Sequence, residues 1–593
     1  MAQQLREQAR ELVSRMTLEE KASLCSGKNF WESKAVERLG VKSFMLTDGP
    51  HGLRKQAGAS DHLGLNASVP ATCFPPAAAT ACSFDRALLR EMGQAMGEEC
   101  RAEEVGVILG PAANIKRSPL CGRNFEYFSE DPLVTGESAA GLIEGIQSQN
   151  VGACMKHYLA NNQEKARLVS NSVVDQRALR EIYLAGFEKA VKEAQPWTLM
   201  CSYNQINGTY ASDHRELMTD VPRGEWGFEG AIMTDWGAMN DRVKAIQAGL
   251  DLEMPGPCDG NDEKIVQAVR EGRLDEKLVD TCAARMVELA LRVAQNSKTA
   301  YDQAAHHQLA GRAARESAVL LRRGSALPLA AGAKLAVIGD FARRPRYQGA
   351  GSSKINPTQL TSLCGALDER GVQYTYARGF EAEGGVDEAL IAQAAQTAQG
   401  ADVAVVTLGL PDSFESEGFD RAHMDLPENQ NRLMEELLKT GTPIVAVLSN
   451  RVCGAAALAG ADGQHPAAVP GRAEQRQRRG RPAAGQGQPL RQAGGELAAG
   501  AGGHPLPRLL WQGRQRGIPG ERLRGLPLLR QGPQGGGLPL RPRPELYRFC
   551  VYGADPVRPG AGRGRQTDGP GHGEEHRRPG RERGGPALRG PAR

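Results

Sequence analysis

The stretch "GAIMTDWGAMNDRV", residues 230–243, decides the fold. Its apolar run ends in Thr234, Asp235 and Trp236, as a buried strand does when it reaches a turn. Amphipathic helical patterns occur at 175–194 and 275–295. Three earlier runs have the same strand-like form: "VGVILGP" (105–111), "GACMKHY" (152–158) and "WTLMCSYN" (197–204). This alternation predicts an α/β fold with a parallel sheet.

A second α/β unit follows the polar stretch "NSKTAYDQAAHHQ" at 296–308. Its predicted strands are "KLAVIGD" (334–340), "QYTYARG" (373–379), "DVAVVTLGL" (402–410) and "PIVAVLSN" (443–450). We therefore predict four segments: a first α/β domain at 1–295, a linker at 296–310, a second α/β domain at 311–450, and a tail at 451–593.

Chemically active side chains of the first unit stand where its predicted strands end. Lys156 and His157 close one strand, Tyr203 follows another, and Asp235 and Trp236 follow a third. In a barrel of parallel strands those ends meet on the C-terminal face, where active sites are built. The sequence therefore predicts one pocket formed from distant residues.

Each of these stretches also has a purely structural reading when it stands alone. Asp235 is equally explained as a helix N-cap, and "LTDGPHGLR" (46–54) as a capped turn containing Asp48 and Arg54. "MKHYLANNQEKAR" (155–167), which includes Arg167, reads as a solvated face. "GRNFEYFSEDP" (122–132) combines Arg123 with three aromatic rings and favours a sugar site, since rings cover apolar sugar faces while charges bind hydroxyls.

The last 143 residues differ from the rest in composition. Residues 451–593 contain 25 Arg, 10 acidic residues and no Lys, Ser, Asn or Met, so they carry +15 and the first 450 residues carry −11. Such a composition predicts disorder, and a Gly/Arg-rich nucleic-acid arm is the functional alternative. We favour a third hypothesis, a reading-frame shift in GC-rich DNA just after Asn450. A nucleotide sequence whose other frames are closed by stop codons would contradict it.

Taken together, the motifs resemble glycoside hydrolase family 3, and within it the bacterial β-glucosidases. The resemblance covers about residues 10–450. It rests on "MLTDGPHGLR", "SPLCGRNFEYFSEDP", "KHYLANNQEKAR", "MCSYNQINGTYAS", "GAIMTDWGA", "QGAGSS" and "ESEGFDRAHMDLPENQ", in this order. It implies a (β/α)8-type, TIM-like barrel followed by an α/β sandwich that is incomplete here. It also implies retaining hydrolysis through a covalent glycosyl-enzyme intermediate.

The resemblance assigns roles to residues of this chain. Asp235 matches the nucleophile, and Glu417 the acid/base residue, with Glu415 as its rival. Residues i and i+2 of an extended loop point to opposite sides, so only one of the two faces the sugar. The remaining matches bind the substrate or flank the nucleophile: Asp48, Arg54, Arg123, Lys156, His157, Arg167, Tyr203 and Trp236.

The predicted protein is a β-glucosidase-like enzyme of carbohydrate metabolism that needs no metal and no cofactor. We expect it to bind a carbohydrate substrate and to bind neither nucleic acid nor a membrane. Whether it forms a homo-oligomer is left open. Twelve scattered Cys and a charged N-terminus without signal-peptide character predict a cytoplasmic protein. A β-xylosidase, another β-glycosidase of the family or an inactive sugar-binding remnant are the alternatives. A nucleotide-binding protein, suggested by "LAVIGD" and "QGAGSS", has only weak support. The family's N-acetylglucosaminidase branch is disfavoured, because "KHYLANNQE" lacks that branch's glycine pattern.

Overall fold

The structure, a computed structural model, describes residues 2–56, 58, 66–258, 260–321, 324 and 326–449. These residues all belong to one compact unit. The predicted tail at 451–593, and with it the expected disorder, lies outside the described residues.

Helices and strands alternate along the described chain. The helices are α1 (Ala2–Ser14), α2 (Leu18–Leu24), α3 (Ala77–Thr80), α4 (Arg86–Ala102), α5 (Pro132–Ser148), α6 (Gln176–Ala178), α7 (Ala185–Ala194), α8 (Arg242–Ala248), α9 (Asn261–Arg270), α10 (Glu276–Val293), α11 (Gln303–Glu316), α12 (Leu363–Glu369), α13 (Glu388–Gln399) and α14 (Glu428–Lys439). The strands are β1 (Leu46–Asp48), β2 (Pro70–Ala71), β3 (Val107–Leu109), β4 (Gly152–Tyr158), β5 (Asn171–Ser172), β6 (Thr198–Cys201), β7 (Gln205–Ile206), β8 (Thr209–Tyr210), β9 (Ala231–Thr234), β10 (Leu335–Ile338), β11 (Asn356–Pro357), β12 (Tyr374–Ala377), β13 (Val403–Gly409) and β14 (Ile444–Ser449).

The first sheet is wholly parallel and has the hydrogen-bonded order β1-β3-β4-β6-β9. Isolated parallel bridges from Met233 to Leu252 and from Glu253 to Ser26 carry the pairing beyond β9. Among the described residues the barrel-type sheet thus has five regular strands and is extended by single bridges. Every residue of β4 and β9 is buried, including Lys156 and His157 of β4, so both strands are enclosed on their two faces.

Helices cover the outside of this sheet. α4 and α5 pack side by side, and their apolar side chains share one core with residues of β4 and β6. A carboxylate caps each of these two helices, Asp85 for α4 and Asp131 for α5, by accepting hydrogen bonds from N–H groups of the first turn. The predicted α/β class with parallel sheets is confirmed.

The second sheet, ordered β12-β10-β13-β14, is also wholly parallel. Its side chains alternate between two cores. Ala336 and Ile338 of β10 pack with α13 and α14, whereas Leu335 and Val337 pack with α12. Helices therefore lie on both faces, which is the layered α/β arrangement that the resemblance implies.

The segment predicted as a linker, residues 296–310, contains the start of a helix. α11 begins inside the predicted linker and packs against α4. His306 of α11 lies between two carboxylates of α4, with Nδ1 2.9 Å from Glu99 and Nε2 3.0 Å from Glu98. The four segment boundaries proposed from the sequence stay predictions. No helix of the described residues has both the length and the apolar character needed to cross a membrane.

Candidate active site

One pocket collects most of the residues singled out in the sequence. It lies at the carboxyl ends of the first sheet, because Asp48 ends β1, Lys156 is near the end of β4, and Asp235 directly follows β9. Ser352 and Glu417 complete it from the part of the chain that builds the second sheet. The lining residues are Trp31, Asp48, Arg123, Lys156, Met200, Tyr203, Asp235, Trp236, Ser352 and Glu417.

One carboxylate oxygen of Asp235 accepts a hydrogen bond, and the other accepts none from the described residues. Its Oδ1 accepts a hydrogen bond from the Trp236 N–H at 2.8 Å, and its own N–H donates to the Cys201 carbonyl at 3.0 Å. Its Oδ2 is buried and has no hydrogen-bond partner among the described residues. A carboxylate fixed in this way presents one oxygen to whatever occupies the pocket.

His157 lies close to that oxygen, with Nε2 3.6 Å from Oδ2 of Asp235. Burial lowers the pKa of His157 well below its ordinary value, and Arg123, Lys156 and Arg167 lower it further. An imidazole whose pKa is lowered in this way is uncharged near neutral pH, so its contact with Asp235 is not an ion pair. Asn114 holds this histidine in place, since its Oδ1 accepts the His157 backbone N–H at 2.8 Å.

Two tryptophans form an apolar wall of the pocket. The ring centroids of Trp31 and Trp236 are 5.3 Å apart at a tilt of 46°. The indole of Trp236 donates to the Phe30 carbonyl at 2.9 Å, and the Tyr203 hydroxyl donates to the Trp236 carbonyl at 3.1 Å. The first bond holds the indole ring and the second holds the Trp236 backbone, and aromatic rings of this kind cover apolar sugar faces.

At the other side, Asp48 is enclosed by two cations. Arg54 donates to its Oδ2 at 3.2 Å, and the Lys156 Nζ lies 3.7 Å from its Oδ1. All three side chains are buried. Burial raises the pKa of Asp48, Lys156 and Arg54 oppose that rise, and the carboxylates of Glu417 and Asp235 add to it. The cluster supplies both donors and an acceptor, as recognition of neighbouring hydroxyls requires.

Glu417 is bound by two arginines and one backbone amide. Arg167 donates to its Oε1 at 2.8 Å, Arg123 lies 3.6 Å from the same oxygen, and the Ser352 N–H donates to Oε2 at 2.9 Å. Burial alone would raise the pKa of Glu417, but these three groups outweigh it and hold the pKa far below the ordinary value. In this arrangement Glu417 is a carboxylate, the form that acts as a base. Action as an acid requires its arginine contacts to loosen.

Glu415, the rival residue, is directed elsewhere. Its side chain is buried near Arg346, with 4.0 Å between the Arg346 guanidinium and the carboxylate, and does not line the pocket. The expectation that residues i and i+2 face opposite sides therefore agrees with the geometry. Arg54, His157 and Arg167 stand behind the lining side chains and contact them.

Sequence reasoning missed four residues of this site. Trp31, Met200 and Ser352 line the pocket, and Glu164 binds Arg167 at 2.7 Å behind it. Burial raises the pKa of Glu164 to about 7. Ser352, Glu164 and Met200 all lie inside motifs that carried the resemblance, but nothing in its motif separates Met200 from an ordinary apolar strand residue.

A larger cleft of about 550 Å³ lies elsewhere, between α1, α10 and the segment around Phe228. The carboxylates that line it are paired: Glu229 and Glu288 with Arg6, and Asp280 with Lys21. Because these acids are engaged by cations, this cleft offers no free carboxylate for chemistry. The pocket at the strand ends is thus the candidate active site.

A pocket that joins the carboxylates of Asp235 and Glu417, a tryptophan wall and the buried charges around Asp48 at the ends of barrel strands is of the glycoside hydrolase type. Comparison with known proteins agrees. Residues 32–289 match the glycosyl hydrolase family 3 N-terminal domain, and residues 318–469 match the family 3 C-terminal domain. The chain belongs to glycosyl hydrolase family 3, as the sequence motifs indicated. The second match ends 19 residues beyond Asn450, the predicted break.

Three relatives illustrate the likeness. The chain is 53% identical over 448 residues to the thermostable beta-glucosidase B of Acetivibrio thermocellus, covering 74% of this chain and 59% of that protein. It is 49% identical over 453 residues to an exo-alpha-(1->6)-L-arabinopyranosidase of Bifidobacterium breve, covering 74% and 60%. The structure of beta-glucosidase 3B from Thermotoga neapolitana in complex with alpha-D-glucose superposes with a TM-score of 0.69 at 34% identity, covering 75% and 69%. The chain thus spans about three fifths of the curated relatives it matches.

Proposed function

We propose that the chain is a retaining, exo-acting β-glycosidase that releases the nonreducing terminal sugar of β-glucosides or oligosaccharides. The observation that carries this proposal is the pair of carboxylates, Asp235 and Glu417, in one pocket. Retaining hydrolysis uses two such carboxyl groups, one as nucleophile and one as acid and then base. The buried charges around Asp48 close one side of the pocket, which supports action on a chain end.

Asp235 is the proposed nucleophile. Its unengaged Oδ2 forms a bond to the anomeric carbon as the glycosidic carbon–oxygen bond breaks. The electron pair of that bond leaves with the aglycone oxygen, which takes a proton from Glu417. Water then attacks the same carbon, Glu417 accepts a proton from it, and Asp235 is released.

The other predicted residues bind and orient the sugar. Asp48 accepts hydrogen bonds from hydroxyls, Lys156 and Arg123 donate to them, and the Trp236 ring covers an apolar sugar face. Arg54 and Arg167 hold Asp48 and Glu417 respectively. Charged hydrogen bonds of this kind reject sugars that lack the right hydroxyl.

A second candidate substrate class is an α-L-arabinopyranoside. The Bifidobacterium relative, named as an arabinopyranosidase, is nearly as similar to this chain as the named β-glucosidase is. Rates on the 4-nitrophenyl β-glucoside, β-xyloside, β-galactoside and α-L-arabinopyranoside separate these activities.

We also propose a cytoplasmic location, supported by the ten described cysteines, none of which forms a disulfide.

The nucleophile assignment is tested with Asp235→Ala in the full chain. Because the variant lacks the attacking oxygen, we expect its kcat on 2,4-dinitrophenyl β-glucoside to fall by about 10⁴-fold. Added azide should restore turnover and yield the α-glycosyl azide, since azide then attacks in place of Asp235. A variant that keeps wild-type turnover, or a β-configured azide product, would contradict the assignment. If wild-type chain binds glucose but turns over no substrate, the inactive sugar-binding alternative is correct.

A further inference from the structure

Asp420, which the proposed chemistry does not use, ties the loop of Glu417 to the barrel. Its Oδ1 accepts hydrogen bonds from the N–H groups of Gly122 at 3.1 Å and Glu164 at 2.9 Å. Its Oδ2 accepts the Lys165 N–H at 3.0 Å. One side chain therefore satisfies three backbone donors from two separate barrel loops.

Glu164 makes the reciprocal contact from the barrel side. Its Oε2 accepts the Gly418 N–H at 2.9 Å and the Arg167 guanidinium at 2.7 Å. Arg167 in turn donates to Glu417 at 2.8 Å. Glu164 is fully buried at its side chain, so this contact is made away from solvent. Each loop thus supplies a carboxylate for the other loop's backbone.

The two loops also approach more closely than side chains would permit. A Cβ placed on Gly122 would lie 1.9 Å from the Phe419 carbonyl oxygen and 2.4 Å from that of Ser416. Next to this contact the Arg421 N–H donates to the Leu120 carbonyl at 2.8 Å. Residues 416–421 therefore rest directly on barrel backbone.

We propose that Asp420 and Glu164 are positioning residues that set where Glu417 stands relative to Asp235. We call the contacts of Gly122, Glu164, Lys165, Gly418 and Asp420 the loop latch. The inference rests on the proposed function, because it concerns the placement of the proposed acid/base residue. The latch is needed because the two carboxylates come from parts of the chain far apart in sequence, and a shift of about 1 Å between them costs about a hundredfold in rate.

The first experiment compares two substrates on the full chain carrying Asp420→Ala. Methyl β-glucoside has a poor leaving group that needs a proton from Glu417, whereas 2,4-dinitrophenyl β-glucoside with added azide needs only Asp235. We expect kcat on methyl β-glucoside to fall about a hundredfold with less change in KM, and the azide-assisted reaction to change less than about threefold. Equal losses on both substrates, or no loss, would overturn the proposal.

Two further variants protect this test against simple unfolding. Asp420→Asn keeps Oδ1 for two of the three barrel donors and should lose less activity than Asp420→Ala. Gly122→Ala disturbs the same contact from the barrel side and should reproduce the substrate pattern of Asp420→Ala. Asp425→Ala, at an exposed aspartate of the same loop, and Gly385→Ala, where a Cβ meets nothing within 4 Å, are the matched controls and should retain wild-type rates.

Amide hydrogen exchange supplies a readout that does not depend on turnover. In Asp420→Ala we expect at least tenfold faster exchange at residues 122, 164, 165 and 416–421, with β13 unchanged. If wild-type chain hydrolyses no glycoside, the proposed function fails for this chain, and exchange alone decides the latch. Whether or not the wild-type chain is active, unchanged protection of these amides in Asp420→Ala would overturn the proposal that Asp420 positions this loop.

Discussion

Glu417 and Glu415 stand two residues apart and meet different arginines. Glu417 contacts Arg167 in the pocket that Asp235 also lines, whereas Glu415 lies near Arg346 outside it. If Glu417 is the acid/base residue, Glu417→Gln should lower kcat on methyl β-glucoside by about 10²–10⁴-fold. Azide should restore turnover of 2,4-dinitrophenyl β-glucoside and give the β-glycosyl azide. Glu415→Gln is the matched control. The assignments must be exchanged if Glu415→Gln shows the azide effect and Glu417→Gln does not.

Arg167 makes the shorter of the two arginine contacts to Glu417 and so favours its ionised form. Replacing it by Met removes a positive charge, so the pKa of Glu417 should rise toward its ordinary value. Glu417 then keeps its proton to higher pH, and the descending limb of the kcat profile, which reports the enzyme–substrate complex, should move to higher pH. The profile is measured with methyl β-glucoside for both proteins. A limb that stays in place, or moves to lower pH, would contradict this view of the site.

At the residue scale, the sequence predicted which side chains meet at the pocket better than it predicted how they are held there. All eight proposed substrate-site residues line the pocket or contact its lining, because strand ends and short motifs place them there. Met200 and Trp31 were not predicted, since a buried apolar residue looks alike whether it faces a core or a ligand. The ionisation state of Glu417 was also not predictable. It depends on Arg123, Arg167 and Ser352, which are distant in sequence, all contacting its carboxylate.

At the scale of elements, His306 is one of several contacts that attach α11 to α4. Burial lowers the pKa of His306, but hydrogen bonds with Glu99 and Glu98 outweigh it, and the pKa lies above 6.5. The stabilisation is therefore complete below about pH 6.5 and is lost as pH rises through the folded-state pKa. His306→Gln should lower the free energy of unfolding by about 1.5–3 kcal/mol at pH 5.5 and by less at pH 8.5.

Urea unfolding at the two pH values measures this difference. His307→Gln is the control. Within the described chain, the one hydrogen bond of the His307 ring is with the Thr361 hydroxyl, at 3.2 Å. It should change stability by less than about 0.5 kcal/mol. A loss for His306→Gln that is equal at both pH values would mean that the protonated imidazole is not what attaches α11.

The elements themselves were largely predictable. The eight strand runs in the sequence each contain an observed strand, and seven of the observed strands are shorter than their runs. α11 was not recognised inside the predicted linker, since its face toward α4 is built from Ala310, Ala313 and the charged contacts of His306 rather than from large apolar residues. Its capping residue Asp302, followed by an alanine-rich run, was the available signal.

At the scale of the whole molecule, β14 is the outermost strand of the second sheet within the described chain. Four of its six residues are only half buried, among them Val445 and Val447. An unpaired apolar edge strand templates pairing with other chains. We therefore expect the full chain to self-associate with rising concentration, as sedimentation velocity would measure.

A lysine at the edge should weaken this association, because a buried charge opposes strand pairing. Val445→Lys is the test variant, and Leu438→Lys, on an exposed position of α14, is the matched control. We expect Val445→Lys to shift the sedimentation profile toward the monomer and Leu438→Lys to leave it unchanged. Equal profiles for all three proteins would show that β14 is not the contact.

The closeness of Gly122 to the Phe419 carbonyl has a consequence for how this protein tolerates random mutation. Every single-nucleotide change that replaces this glycine introduces at least a Cβ where there is space for none. In a library selected for glycoside hydrolysis, position 122 should therefore be as depleted of variants as position 235, although it contributes no side chain to the reaction. Engineers who diversify the barrel loops to change sugar preference would lose most of a library by including this codon.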